Sequence, residues 1–421
     1  RVEARRGSDG ATVWGPLISD FFVPAHGWFP VFGGTLTPKD RTLVVPGAGG
    51  TVLVRTFPDS PAGVTTRQAF YGIANYNANA AAFDAAIQVS TPIGSDARGN
   101  LYFGYMSNGA PLPGYPSGIP SGLARISSSG AGSFVSAAAL SGDNTIVKVI
   151  QNSSPAFSAN GATLYVAVNN VPIGFGTGYL CALNSTTLAT LACVQLLDPR
   201  STPGSPILAP VSDNGSGAPT VGPDGDVYFG TLEATFGSNH ARGWLLHYSG
   251  NLAITKLPSA FGWDDTASVV PSSAVPSYAG PSTYLLLTKF NNYYTTGGDG
   301  VNKLALVDPN VTMVDPITGV TVMNTVLTIA GPTPDLDAPP AFPNAVREWC
   351  INSAAVDPVT RAAIVNNEDG NVYRWDFTTN TLSPALNLAP PTGEAYTPTV
   401  IGPDGAGYAI NNAKLFSFVR N

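Results

Sequence analysis

Four carboxylates and two indoles stand just ahead of apolar, strand-like segments at three places in this chain. They are Trp263, Asp264 and Asp265 in FGWDDTASVV, Arg347, Glu348, Trp349 and Cys350 in VREWCINSAAV, and Glu394 with Tyr396 in TGEAYTPTV. Gln151 and Asn152 hold the same position ahead of SPAFSANGATLYV. With only 27 acidic residues in the sequence, this is a concentration. Carboxylates beside indole rings suit a carbohydrate, whose hydroxyls take charge-assisted hydrogen bonds while its apolar faces lie on the rings. Two carboxyl groups about 5–10 Å apart serve glycoside hydrolysis as acid and base or nucleophile. Asp264, Asp265, Glu348 and Glu394 are therefore the catalytic candidates, and Trp263, Arg347, Trp349, Tyr396, Asn152 and His240 the candidate ligand contacts. Several oxygens aimed at one point would instead hold Ca²⁺. The structural alternative has Asp264 capping a turn, Glu348 paired with Arg347 or another cation, and the indoles packed in a core.

Other reactive types are sparse. His240 and His247 lie seven residues apart in GSNHARGWLLHY, an odd separation that sends them to opposite faces of one strand and disfavours a shared zinc. His26 with His240, Arg242, Tyr248 and Tyr293 offers the types a polysaccharide lyase uses, although nothing in the sequence brings them together. The run Asn366 to Tyr373, NNEDGNVY, has calcium-loop oxygens at the wrong spacing and reads as a hairpin turn. Leu287 to Leu306 carries a polar, glycine-rich loop between two strands and is a candidate ligand contact. No GxSxG elbow or GxGxxG loop occurs.

The elements that must carry these residues follow from composition and repetition. Gly 46 and Pro 37 punctuate a chain that is 44% hydrophobic and only 11% charged, which excludes coiled coils and disorder. A formal charge of −7 argues against a nucleic-acid partner, and no run of about 18 apolar residues spans a membrane. One pattern recurs: a short apolar strand, a turn on Pro, Asp, Asn or Gly, then an aromatic strand. Its seven copies start near Leu36, Thr91, Ser154, Ala218, Ala267, Ser353 and Thr397, at intervals of about sixty residues. A second hairpin follows most copies, as in GYLCALNSTTLATLACVQL and GNVYRWDFTTNTLSPALNL, so each unit predicts four antiparallel strands.

GPDGDVYFGT, followed by a Gly-containing gap and an LxxY or LxAL strand, resembles the quinoprotein-type, or PQQ-like, β-propeller repeat. The resemblance implies the blade. It does not bring the quinone cofactor, because the regularly placed Trp of the docking motif and an adjacent Cys-Cys pair are both missing. Quinone-dependent oxidation is thus a remote alternative. The expected fold is all-β: one seven-bladed propeller over residues 1–421, with 1–30 a closing segment and 31–421 the blades. The last copy lacks a fourth strand, and Ala11 to Leu17 is the expected donor that closes the ring.

Arg1 to Arg6 lack the apolar core of a signal peptide, so a leader is either removed or absent. A turn near Thr187 would set Cys181 opposite Cys193, as a disulfide or as two small core residues. Low charge with abundant Ser, Thr and Asn suits a secreted or periplasmic protein, and sequons stand at Asn152, Asn184, Asn214 and Asn310. The functional expectation is a secreted binding or scaffold propeller whose acidic, aromatic channel mouth meets a glycan or an extracellular protein. A carbohydrate-active enzyme is the alternative. Self-assembly would run through exposed blade edges.

Overall fold

The computed structural model describes residues 2–20, 34–213, 217–349, 353–388, 399–403, 405–411 and 414–418. The chain is a seven-bladed β-propeller, mostly strands with a few short helices. Blade 1 pairs Thr35–Leu36, Leu43–Pro46, Thr51–Arg55 and Thr65–Ala69 in sequence order. Blade 2 runs from Ile87–Val89 through Leu101–Ser107 and Gly122–Ile126 to Gly132–Ser136, and blade 3 from Lys148–Val149 through Thr163–Asn169 and Gly178–Asn184 to Thr190–Gln195. In both, a further two-residue piece pairs with the second long strand, so the first strand is broken in two. Blade 4 pairs Val227–Thr231 with Trp244–Tyr248, and isolated bridges at Thr255 and Ser259 replace its outer strand. Blade 5 contains Ser268–Pro271, Tyr284–Phe290, Lys303–Val314 and Thr321–Ala330. Blade 6 contains Ala355–Asp357, Ala362–Asn366, Asn371–Asp376 and Thr381–Asn387. Three described strands, Val400–Ile401, Gly407–Asn411 and Lys414–Phe418, make blade 7.

Every repeat copy found in the sequence forms the first hairpin of a blade, and the turn chemistry shows why. In GPDG, Gly222 N–H donates to Asp226 O at 2.8 Å and Gly225 N–H to Gly222 O at 2.9 Å. Gly225 takes φ +87°, a left-handed conformation that a side chain would strain.

Contacts gather the chain into two compact units: Arg1–Gln195 with Val211–Val221 and Asn251–Ala253, and Leu196–Pro210 with Gly222–Gly250 and Ile254–Asn421. In the first, Val44, Val52, Phe70, Phe83, Phe103 and Tyr105 share one core, with Phe70 and Tyr105 centroids 4.4 Å apart. In the second, Leu285, Leu287, Leu304, Leu306 and Trp375 pack around Trp349. Burial does not alternate along the interior strands. Trp244–Tyr248 and Ala362–Asn366 are buried throughout, and Tyr284–Phe290 is buried to its last residue. A strand covered on both faces reads as a continuous apolar run, while the outer strand Thr381–Asn387 keeps solvent on one side.

The N-terminal strand departs from expectation. Thr12–Leu17 does not complete blade 7 among the described residues; it pairs with Val2–Arg5, Ala4 facing Trp14. The physical reason is local. A tight turn ties Arg6 N–H to Ala11 O at 2.8 Å, and Trp14 buries its ring under the Arg55 guanidinium, 4.0 Å from its centroid, while its indole N–H donates to Pro58 O.

Cys181 and Cys193 form a disulfide between the third and outer strands of blade 3, at directly opposed positions with Cα atoms 4.1 Å apart. Asn184 Oδ1 shapes the connecting turn by accepting from the N–H groups of Thr186 and Thr187 at 2.9 and 3.0 Å.

Candidate functional site

The segment leading into blade 5 carries Trp263, Asp264 and Asp265. Asp264 adopts φ +52°, a turn conformation that Asp tolerates. Its neighbour Asp265 is 2% exposed. Both carboxylates meet Lys289, itself buried on Tyr284–Phe290: the ammonium donates to Asp264 Oδ2 at 3.3 Å and the backbone N–H to Asp265 Oδ2 at 3.3 Å. Burial pushes the Asp265 carboxyl well above the usual carboxylate range, and the nearby Lys289 charge offsets this only in part. Trp263 is half-buried and its backbone N–H donates to Arg242 O at 3.0 Å.

The segment leading into blade 6 is bonded more tightly still. Arg347 reaches Asp335 at 3.2 Å, Asp337 at 2.9 Å and Glu368 at 3.9 Å. Burial works against its charge, but these carboxylates outweigh it and raise the guanidinium's pKa. Glu348 exchanges backbone bonds with Glu368: its N–H donates to Glu368 Oε2 at 3.3 Å, and its carbonyl accepts from Glu368 N–H at 3.0 Å. Trp349 has no exposed surface. The Asn291 amide clamps its backbone from both sides at 3.2 Å, and its ring meets Tyr373 edge-on at 6.0 Å. It is a core residue, not a platform for a ligand, which corrects the sequence expectation. The reason is that its ring packs in a core cluster with Leu285, Leu287, Leu304, Leu306 and Trp375. Cys350, Glu394, Tyr396 and His26 lie outside the described residues.

Asn152 belongs to the first unit and to a different setting. It is buried at φ +70°; its N–H donates to Ser90 O at 3.1 Å and its amide to Asp213 O at 3.0 Å. Its Oδ1 has no hydrogen-bond partner among the described residues. The Lys148 ammonium donates to Asp213 Oδ1 in the same interior cluster, and Gly174 N–H donates to Asp213 Oδ2 at 3.0 Å. Side-chain polar atoms of Ser90, Gln151, Ser153 and Asn169 add to it, sealed from solvent and unpartnered among the described residues.

The two histidines take different settings, His240 in the turn before Trp244–Tyr248 and His247 on that strand. His240 Nδ1 lies 2.7 Å from Asn292 Oδ1, while His247 stacks on Tyr228 and bonds Asp226 at 2.9 Å through Nε2. Burial lowers the His247 pKa despite that carboxylate. Asp369 in NNEDGNVY accepts from Tyr373 OH at 2.7 Å, from Asn371 N–H at 2.9 Å and from Thr333, and so serves a hairpin. Among the described residues no three His, Cys, Asp or Glu side chains converge as a metal site. No described helix is long and apolar enough to cross a membrane.

Sequence reasoning missed the framework carboxylates. Asp198, with no exposed surface, accepts from Arg200 Nη2 at 2.6 Å, Ala234 N–H at 2.9 Å and Trp244 Nε1 at 3.0 Å. Glu233, equally buried, accepts three backbone N–H groups, those of Gly237, Ala241 and Gly243, at 2.8–3.0 Å. The spacing of Asp198 and Arg200 was the one available signal for either.

No family profile and no curated protein matches the sequence. Among solved structures the chain is similar to a Kuenenia stuttgartiensis hydrazine synthase at 11% identity and TM-score 0.48, covering 96% of this chain and 98% of that one. It is also similar to the WD40 beta propeller domain of Doa1 (10% identity, TM-score 0.44, 95% of each chain). A europium-containing methanol dehydrogenase matches at 13% identity and TM-score 0.45, over 93% of this chain and 83% of that one. At such identities the likeness concerns the β-propeller fold alone.

Proposed function

We propose that this chain is a secreted, non-catalytic binding propeller whose partner is a protein. The observation that carries the reading is that the charged groups leading into blades 5 and 6 are consumed internally: Lys289 holds Asp264 and Asp265, and Arg347 holds Asp335 and Asp337. Acid–base work needs carboxyl groups that face a substrate, and a sugar platform needs an exposed ring. Here Asp265 and Trp349 are both buried. Beside the Arg347 cluster the loop instead presents Leu336, 87% exposed, next to exposed Asp337. An apolar contact rimmed by charge is the composition of a protein interface. The Cys181–Cys193 bond supports an oxidising, extracytoplasmic setting.

The test combines a glycan array with a polysaccharide digestion screen on the purified chain and on the Asp264→Asn, Asp265→Asn double variant. Neither retention nor released reducing or unsaturated ends is expected, while crosslinking in the producing culture should join the 331–346 loop to another protein. Product release by the wild type that the double variant loses would overturn the proposal.

One observation favours a second reading, carbohydrate-active chemistry at Asp265: a buried carboxyl with a raised pKa is the form a general acid takes. Among the described residues the Asp265 carboxylate accepts a hydrogen bond from the Lys289 backbone alone, so the reading requires the Trp263–Asp265 turn to open.

A further inference from the structure

Within the second unit, Lys303–Val314 and Thr321–Ala330 of blade 5 form a long hairpin that leans over the Arg242 loop of blade 4. Between them lies a cavity of about 330 Å³. This is the lower end of the size range of small-molecule sites. Its apolar wall is Phe290, Val301, Met313 and Met323. Thioether side chains adapt to the shape of what they contact, so this wall accepts a flexible or aromatic hydrocarbon.

The polar groups of the cavity are bonded in part within the protein. Each carboxylate accepts through a single oxygen. Asp315 accepts from Arg242 Nη2 at 2.9 Å and from the Thr318 N–H and hydroxyl at 2.8 and 2.7 Å. Asp299 accepts from the Asn292 amide at 2.7 Å and from Val301 N–H at 2.9 Å. The cations keep donors to spare. Arg242 is 1% exposed and spends Nε on Asn239 O and Nη2 on Asn239 and Asp315, which leaves Nη1 donating to nothing among the described residues. The ammonium of Lys303, a half-buried residue at the start of its strand, has neither a hydrogen bond nor an ion pair among the described residues. A free guanidinium edge and an unpaired ammonium on the lining of one cavity are donors that suit an anionic acceptor.

We propose that this cavity is a binding site for a small amphiphilic carboxylate, its hydrocarbon part against Met313, Met323 and Phe290 and its carboxylate on Arg242 Nη1 and Lys303 Nζ. The pairing of Arg242 with Asp315 fixes the guanidinium plane, so the remaining edge is preorganised for the ligand. A free phosphate would lack the hydrocarbon contacts, and an uncharged alcohol would leave Lys303 unpaired.

The experiment titrates octanoate and 4-phenylbutyrate into the wild-type chain by calorimetry and thermal unfolding, with 1-octanol as the uncharged control. At least one carboxylate should bind saturably and raise Tm, and 1-octanol should bind about tenfold more weakly. Lys303→Gln removes a charge that no other group uses and should weaken carboxylate binding about fivefold or more with unfolding unchanged. Val301→Trp fills the cavity and should abolish it. Saturable binding of neither carboxylate, or affinity unchanged in both variants, overturns the proposal. Loss on Val301→Trp with full affinity in Lys303→Gln overturns the assignment of the carboxylate to Lys303.

Discussion

The Lys148 ammonium donates to the Asp213 carboxylate with neither side chain reaching solvent. The Lys148 pKa is lowered by burial, which the Asp213 charge offsets only in part. A buried pair of this kind contributes little over an apolar pair of the same shape, yet losing one partner strands the other charge. Lys148→Met should therefore cost about 3–5 kcal/mol in urea unfolding, and Lys148→Met with Asp213→Leu distinctly less. Equal losses in the single and double variants would show that Asp213 is held by its backbone donors, Gly174 and Gln151, rather than by Lys148.

Asp265 carries the opposite sign. Its folded pKa lies above the unfolded value of about 3.9, so its stabilising contribution is complete in acid and is lost as pH rises through the folded pKa. At neutral pH the carboxylate opposes folding. Asp265→Asn should raise stability there by about 1 kcal/mol, and the gain should vanish near pH 4. A loss at neutral pH would mean that Lys289 depends on the ionised form.

Most other shifted acids predict weakening on acidification. Burial alone would raise Asp198, but Arg200 and the backbone donors hold it below the usual range. Burial is likewise outweighed at Asp315 by Arg242. Such groups stabilise fully above their unfolded pKa and lose this as pH falls through the folded one. His247, lowered by burial, adds to the trend below about pH 6.5. The urea midpoint should dip below about pH 6.5 through His247 and fall more steeply below about pH 4 as these carboxylates protonate, and Asp198→Asn should lower the neutral value and flatten that acid limb. A flat wild-type profile would contradict this balance.

The disulfide encloses a separation of 12 residues. Cys181→Ser with Cys193→Ser should cost about 2–3 kcal/mol by releasing unfolded-state entropy. Thermal unfolding with and without reductant checks this, and reductant should leave the double variant unaffected.

Much of the architecture was legible because the turns announce themselves. GPDG and its relatives bring Asp and Gly to fixed positions, and a blade cannot begin without that turn. Two things were not legible. The helices Ile73–Ala78 and Ala80–Ala86 are too short for helical periodicity, and tertiary contact supports them, with Tyr71 stacked on Phe83 at 4.3 Å. The partners of the candidate site were hidden as well. Asp264 and Trp349 were found from their position before each strand, but Lys289 sits inside an apolar run, and the acids that hold Arg347 lie 10, 12 and 21 residues away. The Leu287 to Leu306 loop was recognised as a candidate contact, whereas its meeting with Arg242 and Met313 exists only in three dimensions.

The Cys181–Cys193 bond has a further consequence for how copies of this chain treat one another. Repeated, similar strands invite exchange, in which an outer strand leaves its own blade and completes that of a neighbouring molecule. In blade 3 the outer strand Thr190–Gln195 is covalently tied to Gly178–Asn184 of the same chain. Once the bond has formed, that strand can no longer be traded, and concentrated or newly made chains keep this blade to themselves.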